Sequence, residues 1–293
     1  MLHMIGESTQ AEIKLLKKEF EQLRDGKESL LKIIAEAELP ELVYNSNAIE
    51  NSTLTLKETE KILLEQEVMR DVSTRELFEA KNLARVLEYL ETKPDFELTV
   101  ENINLLHQML IGGIDDHIAG RLRKTGEYVR VGAHIAPAPE HVEALLEALI
   151  DDYHSSHNRY FLDNIAHFHT EFERIHPFCD GNGRIGRVLI NQQLANFGYP
   201  PVIIRNKGKN KDYYPVFTEF VDDGDFEPMS ELLVDALKES LHKRLAYLKS
   251  LRIIDVADYA RQTDQAANSL LNKAKRQTIP AFRERGTWRI GVE

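Results

Sequence analysis

Apolar side chains recur every three to four residues over most of residues 9–250, the period at which an α-helix gathers them onto one face. A chain patterned this way buries its apolar stripes by packing helix on helix, so the expected fold is mainly α. Thr9 followed by Glu12 has capping-box spacing, and Ile13, Leu16, Phe20 and Leu23 form a stripe that Gly26 interrupts. A second helix is expected to stop at Pro40, followed by a short segment rich in polar caps at 42–55. Thr55 and Glu58 cap a further helix running to Met69, and helices follow over 73–92, ending before Lys93-Pro94, and over 99–111.

The period changes once within this run. Residues 126–141, GEYVRVGAHIAPAPEH, alternate apolar and polar between Gly126 and the prolines Pro137 and Pro139, which predicts a short exposed hairpin. Helices resume over 141–156, 163–175 and 185–198, and again after a basic loop, RNKGKNKD, at 205–212. Beyond residue 250 two short helices around a turn precede two short strands separated by Arg285-Gly286. The expected division is an N-terminal helical region at 1–100, a core at 101–248 and a small module at 249–293.

Charge and cysteine content bound the function. The net charge of -11 makes the molecule as a whole repel nucleic acid and anionic membranes, so any basic site must be local. A single cysteine, Cys179, precludes an intrachain disulfide and fits a reducing compartment. No basic-then-apolar leader and no apolar run of about 20 residues is seen, so a cytoplasmic protein without membrane contact is expected.

The stretch IHPFCDGNGRIGR, residues 175–187, breaks the helical pattern and concentrates the chemistry. One helix ends near Ile175 and another begins near Asn182, so Gly181, Asn182 and Gly183 sit where free backbone N–H groups and the positive dipole end form an anion cradle. Arg184 and Arg187 are three apart, near one turn, and suit a polyphosphate. Asp180 is an oxygen ligand suited to Mg²⁺ shared with phosphates, and His176 is a general-base candidate. Together these residues point to nucleotidyl or phosphoryl transfer. GNGRIG formally matches a dinucleotide fingerprint, but that needs a strand before it, and an amphipathic helix stands there instead. Cys179 is read as a bystander rather than a nucleophile, and the spacing of His167, His169 and His176 matches no zinc site.

The run from His176 through Phe178, Asp180, Gly181, Asn182, Gly183, Arg184 and Arg187 resembles the signature of the Fic family, H-x-F-x-[DE]-G-N-G-R-x-x-R, at every specified position. The resemblance covers about residues 100–245. It implies a helical core with a β-hairpin flap and transfer of AMP from ATP to a Tyr, Ser or Thr hydroxyl of a target protein or of the chain itself. By the same resemblance His176 would deprotonate the hydroxyl and Asp180 would hold Mg²⁺. The Asn182 side chain, the glycine amides, Arg184 and Arg187 would bind phosphates, and Phe178 would plug the loop into the core. The flap, with Val129, Val131 and Gly132, would align the target by strand pairing, a surface hairpin being the alternative. Tyr213 or Tyr214 would border the base, with core packing as the alternative. A homodimer is a further implication.

Upstream, SNAIEN resembles the family's inhibitory motif, [ST]-x-x-x-E-[GN], with Ser46, Glu50 and Asn51 on a helix at about 42–52. This implies that Glu50 pairs with Arg187 and keeps the γ-phosphate from its seat; removal of AMP at the same site is the alternative. Kinase-like relatives depart from G-N-G-R, so phosphotransfer is disfavoured. The C-terminal module resembles a winged helix-turn-helix: residues 261–293 carry seven basic side chains against three acidic. That leaves DNA binding open, either beside the enzyme or as a nucleotide-sensing regulator.

Overall fold

The computed structural model describes residues 4–68, 71–93, 95–132 and 134–293. Within them run α1 (Glu7–Arg24), α2 (Glu28–Ile49), α3 (Leu56–Glu60), α4 (Thr74–Glu91), α5 (Val100–Ile111), α6 (Val142–Ser155), α7 (Phe161–Ile175), α8 (Asn182–Asn196), α9 (Tyr214–Asp223), α10 (Glu227–Leu248), α11 (Val256–Gln262) and α12 (Ala267–Lys275). The strands β1 (Arg130–Val131) and β2 (His134–Ile135) form the flap, and β3 (Arg252–Asp255), β4 (Ala281–Glu284) and β5 (Thr287–Val292) form a C-terminal sheet. The fold is mainly α, as the apolar period requires. Residues 1–3, the expected helix end at Met69, the stop at Pro94 and Ala133 within the flap segment lie outside the described residues.

Helix α7 is the centre. Phe168, Phe172 and Ile175 face one apolar core together with α4, α5, α6 and Phe178. Leu162, Ile165 and Ala166 of the same helix face a second core built with α1, α10 and Tyr213. Helix α8 is shared in the same way, through Val188 and Leu189 on one side and Ile190 and Leu194 on the other. A helix enclosed on two sides holds the residues at its ends in fixed positions.

Two local expectations change. Thr9 and Glu12 form no capping box: α1 starts at Glu7 with Gly6 as its cap, and Glu12 instead accepts from Lys238 of α10 at 2.9 Å. Helix α2 does not stop at Pro40 but runs through it to Ile49. Proline removes one backbone bond, and buried Val43 and Ile49 together with ion pairs from Glu38 and Glu41 offset that loss. The capping box of Thr55 and Glu58 is present. The helix it opens leaves α geometry after Glu60, continues as one π-type turn to Glu65, and is left by Gln66 at φ 57°.

At the C-terminus, two helices and an antiparallel hairpin follow the expected order. Strand β3, not anticipated, pairs with β5 to give the order β3–β5–β4. Four of the seven basic residues there have acidic partners within the chain: Arg261 with Asp258, Arg283 with Glu239, Arg285 with Glu60 and Arg289 with Asp255. Lys273, Lys275 and Arg276 on the second helix are exposed.

Buried charges fasten this module and α2 to α10. The Arg205 guanidinium lies between Glu41 of α2 and Glu239 of α10, and Glu239 also takes Arg283 at 2.6 Å. Glu38 takes Arg244 at 2.6 Å and Lys243 at 3.0 Å. Burial pushes Glu38 and Glu239 up, but the guanidinium and ammonium charges together outweigh it and hold both below the ordinary carboxylate value. Their contribution to stability is therefore complete above that ordinary value and is lost as pH falls through their lower folded values. Acid titration of the melting temperature is expected to show this loss. Arg205→Met, which takes from Glu41 its ion-pair partner and leaves Glu239 with Arg283 alone, should cost about 3 kcal/mol in denaturant unfolding at neutral pH.

Candidate active site

An open cleft of about 780 Å³ runs between the flap and α7, α8 and α9. Its walls include Glu50, Val131, Gly132, Glu173, His176, Gly183, Arg187 and Tyr214. Residues 176–181 make a tight reversal between α7 and α8, which brings His176 and Gly183 to the cleft. His176 closes α7 in the left-handed region at φ 50°, its N–H donating to the Phe172 carbonyl at 2.9 Å. Buried Arg123 holds that corner: Nε donates to the His176 carbonyl at 2.8 Å and Nη2 to the carbonyls of Ile175 and Pro137 at 3.2 and 2.9 Å. One guanidinium thus ties the base of the flap to the end of α7.

Phe178 is fully buried and stacks on the His107 ring, with centroids 3.7 Å apart. His107 Nδ1 accepts from the Gly120 N–H at 3.0 Å, so its Nε2 carries the proton and donates to the Asp180 carbonyl at 2.9 Å. Burial presses His107 down to about 4 and keeps it neutral. The Asn182 side chain does not face the cleft. Its Oδ1 accepts from Phe178 N–H at 2.9 Å and its Nδ2 donates to Phe178 O at 2.8 Å. The expected contact of this side chain with phosphate is therefore corrected: both of its polar atoms clamp the loop. What α8 offers to an anion is its first turn of backbone N–H groups, at Asn182, Gly183 and Arg184, which have no carbonyl one turn back within the helix.

Asp180 and Arg184 sit on the far side of that turn. Asp180 Oδ1 accepts from Gly181 N–H at 2.6 Å and from Arg184 at 3.0 Å, and its other oxygen pairs with Arg75 of α4. Arg184 also lies 3.2 Å from Glu79 and is almost fully enclosed. Burial raises Asp180, yet the charges of Arg184 and Arg75 outweigh it and keep the carboxylate ionised. The two arginines of the motif thus point into different surroundings, Arg184 into a carboxylate network and Arg187 into the cleft.

Arg187 is where the N-terminal region meets the motif. Its Nη2 donates to Glu50 Oε1 at 2.8 Å and to the Ser46 carbonyl at 2.9 Å, and its Nε donates to Ser46 Oγ at 3.0 Å. The Glu50 carboxylate also covers Gly183: a Cβ on that glycine would stand 2.2 Å from Glu50 Oε1. One carboxylate therefore occupies both the guanidinium and the helix start that the motif presents to an anion. Ser46 and Glu50 lie at the last turn of α2, and Asn51, just beyond it, takes φ 68°, a left-handed conformation that asparagine and glycine accept best.

A lysine that the sequence reading left in a basic loop completes this contact. Lys209 Nζ donates to the carbonyls of Ala48 and Ile49 at 2.7 and 2.9 Å and to Asn51 Oδ1 at 3.1 Å, capping the negative end of α2. Tyr214 donates to the Ile49 carbonyl, and Asn206 N–H to Asn45 Oδ1 at 3.0 Å. Tyr213 cannot stack on a base: it is buried, lies 3.4 Å from Arg187 Nη1, and its hydroxyl lies 2.9 Å from His169 Nε2. Of the two tyrosines only Tyr214 is exposed on the cleft wall.

His176 faces the cleft. Burial, with Arg123 and His134 acting in the same sense, presses its imidazole down to about 4, so it is neutral and able to accept a proton at pH 7. In the flap, His134 Nε2 lies 3.0 Å from the Arg174 carbonyl, and Val131 and Ile135 are exposed toward the opening. Val129 accepts from the Ala136 N–H at 3.1 Å and is not among the residues lining the cleft. Cys179 makes no pair with His176; burial and Glu127 raise its thiol, consistent with a bystander. Among the described residues no cluster of three or more His, Cys, Asp or Glu side chains suits a metal, and no helix is long and apolar enough to cross a membrane.

Sequence reasoning missed Arg75, Glu79, His107, Arg123, Glu173 and Lys209. All but Glu173, which stands three residues before His176, act from separate parts of the chain, and none belongs to a local motif.

Residues 97–194 match the Fic/DOC family. The chain is 31% identical over 204 residues to a protein adenylyltransferase Fic of Drosophila persimilis, covering 68% of this chain and 39% of that protein. It is 30% identical over 256 residues to a protein adenylyltransferase Fic of Drosophila melanogaster, covering 84% of this chain and 51% of that protein. The chain thus spans between about two-fifths and half of the length of these curated relatives. A Fic domain containing signaling protein from Bacteroides thetaiotaomicron superposes with a TM-score of 0.74 at 26% identity, over 81% of this chain and 97% of that one.

The Lys209 cap gives a direct test of how α2 is held. Lys209→Met should leave the global melting temperature within a few degrees while speeding amide exchange of residues 48–52 about tenfold, the loss of one charge-assisted cap. Peptide-resolved hydrogen exchange at neutral pH reads both.

Proposed function

The chain carries a Fic/DOC domain over residues 97–194, and on that premise we propose that it is a protein adenylyltransferase held in check by its own helix α2. The observation that carries this reading is the convergence of His176, the first turn of α8 and Arg187 on one cleft, with the Glu50 carboxylate over the last two.

ATP is the proposed substrate and a protein hydroxyl the acceptor. The triphosphate would lie on the backbone N–H groups of Asn182, Gly183 and Arg184, whose partial positive charge is fixed before it arrives. Arg187 would take the terminal phosphate once Glu50 has left. Neutral His176 would receive the acceptor proton while the oxygen attacks the α-phosphorus and pyrophosphate departs. Buried Arg123, by holding the carbonyls of Ile175 and His176, fixes where that imidazole stands. Mg²⁺ fits Asp180, an ionised carboxylate beside the phosphate cradle, because this cation needs only one or two protein carboxylates when phosphates supply the rest. Bound there it would neutralise phosphate charge, and the Arg75 contact is the one that would have to open.

The flap and its exposed apolar edge at Val131 and Ile135 suit an extended acceptor segment laid against β1 or β2. Glu50 blocks by charge and by place. While it pairs with Arg187, the γ-phosphate would meet a carboxylate instead of a guanidinium, a repulsion in a largely desolvated site. Glu50 also faces the same cleft as His176, which favours a second use: orienting water for removal of AMP.

The test is intact-protein mass spectrometry after incubation with ATP and Mg²⁺. The full chain is compared with Glu50→Gly and with Glu50→Gly combined with His176→Ala. The expected outcome is a gain of one or more AMP groups that is at least about tenfold faster in Glu50→Gly and absent from the double variant. A phosphate-sized gain would reassign the chemistry to phosphotransfer. Equal rates in the full chain and in Glu50→Gly would remove the brake.

A further inference from the structure

Glu173 stands one turn before His176 on α7, and neither the motif nor the brake accounts for it. Its side chain is 11% exposed, and its Oε1 is buried without a hydrogen-bond partner among the described residues. An enclosed, unpartnered carboxyl oxygen is costly, so a group kept this way calls for a use. Its other oxygen, Oε2, lies 3.7 Å from His176 Nδ1, and the Glu173 backbone carbonyl lies 3.3 Å from the same nitrogen. Helix α8 leaves room for the carboxyl only at Gly186, where a Cβ would stand 2.8 Å from Oε1 and 2.8 Å from the His169 ring. His169 Nδ1 is also buried without a partner, and its Nε2 reaches the Tyr213 hydroxyl beside Arg187. His169, Glu173 and His176, spaced four and three apart, thus form one polar line under the cleft, with Arg187 and Tyr213 at its far end.

The chemistry of the base explains what such a carboxylate does. A histidine that takes a proton becomes an imidazolium, and this site opposes that charge through burial, Arg123 and His134. Glu50 acts the other way, but Glu50 has to withdraw before a triphosphate can reach Arg187. Glu173 is then the carboxylate that stays within ion-pair distance of the imidazole.

We infer that Glu173 is a positioning residue for His176: its carboxylate holds the imidazole with Nδ1–H toward α7, leaves the Nε2 lone pair free for the acceptor proton, and offsets the imidazolium that forms. This rests on the reading of His176 as the base. The acceptor proton passes to Nε2, the oxygen–phosphorus bond forms and the bond to pyrophosphate breaks; Glu173 takes no proton. An aspartate plays the same part for the histidine of a serine-protease triad. The docked brake works against this pairing. Burial and then the Glu50 charge, against the pull of Arg187, hold Glu173 up to about 8, so at pH 7 it is largely a neutral acid. The groups that face it are His169 and His176 on its own helix, Arg187 on α8, Glu50 on α2 and the Tyr213 hydroxyl. Withdrawal of Glu50 removes the like charge and favours the carboxylate.

The experiment compares the full chain carrying Glu50→Gly with the same chain carrying Glu50→Gly and Glu173→Gln, an isosteric change that removes only the charge. The His176 ring is titrated by ¹⁵N NMR without nucleotide, its resonances assigned by their loss in His176→Ala, and AMP transfer is measured in parallel. The His176 midpoint is expected to fall by about one pH unit in the glutamine variant. The kcat should drop about tenfold or more while the KM for ATP stays within about twofold. An unmoved midpoint overturns the inference even if the rate falls, because a packing defect alone would slow transfer. If the glutamine variant does not fold, Glu173→Asp, which draws the charge back by one methylene, is expected to lower the midpoint by a smaller amount, and no change in it overturns the inference. Absence of AMP transfer in the Glu50→Gly parent would refute the adenylyltransferase reading, and the His176 midpoint would still decide the pairing.

Discussion

The buried guanidinium of Arg187 is the constraint around which the two ends of the chain are organised. A charge that is 6% exposed has to be met by acceptors, and α8 alone supplies none on that side. The acceptors come from the last turn of α2, through the Ser46 hydroxyl and carbonyl and the Glu50 carboxylate. This requirement fixes the register of α2 over the cleft, and the remainder follows from it. Lys209 caps the helix end so produced, Asn51 turns the chain away in a left-handed conformation, and Arg205 joins the middle of α2 to α10. The interaction that stabilises this arrangement is also the one that a triphosphate would have to replace.

The same logic separates the two motif arginines. Arg184 finds its ionic partners within the fold, Glu79 and Asp180, and Asp180 is shared in turn with Arg75. Arg187 takes its carboxylate from a helix end, Glu50, with the Ser46 hydroxyl and carbonyl and the Tyr213 hydroxyl beside it. The loop between α7 and α8 is held differently: Asn182 closes on the Phe178 backbone, and the Phe178 ring is stacked on the neutral His107.

Much of the fold was legible from periodicity, because an apolar stripe at helical spacing has one cheap solution. Ile165, Phe168, Phe172 and Ile175 stand at helical spacing in the sequence, and all four are at most 1% exposed on α7, Ile165 in one core and the other three in the other. Pro40 misled, since the cost of one lost backbone bond was outweighed by ion pairs whose partners, Arg205 and Arg244, lie more than 160 residues away. Thr9 and Glu12 misled for the same reason, Glu12 finding a distant lysine rather than its own helix start. Strand β3 was missed because four residues of a strand take their meaning from a partner, here β5, forty positions further on.

The sequence by itself determined the break between α7 and α8 at residues 176–181 and the helix start at Asn182, because the glycines and the polar residues that make them are neighbours in the chain. Ser46, Glu50 and Asn51 were grouped by resemblance to a family motif, and the left-handed exit at Asn51 emerged only in the fold. The tertiary structure decided which of those groups face one another. It turned Asn182 inward and buried Tyr213 behind Arg187. It brought Arg123 and Lys209 to helix ends they share no sequence with, and set Glu173 against His176 through the space that Gly186 leaves open. Local spacing is settled by bond geometry, whereas the partner of a buried charge is settled by which surfaces the cores bring together.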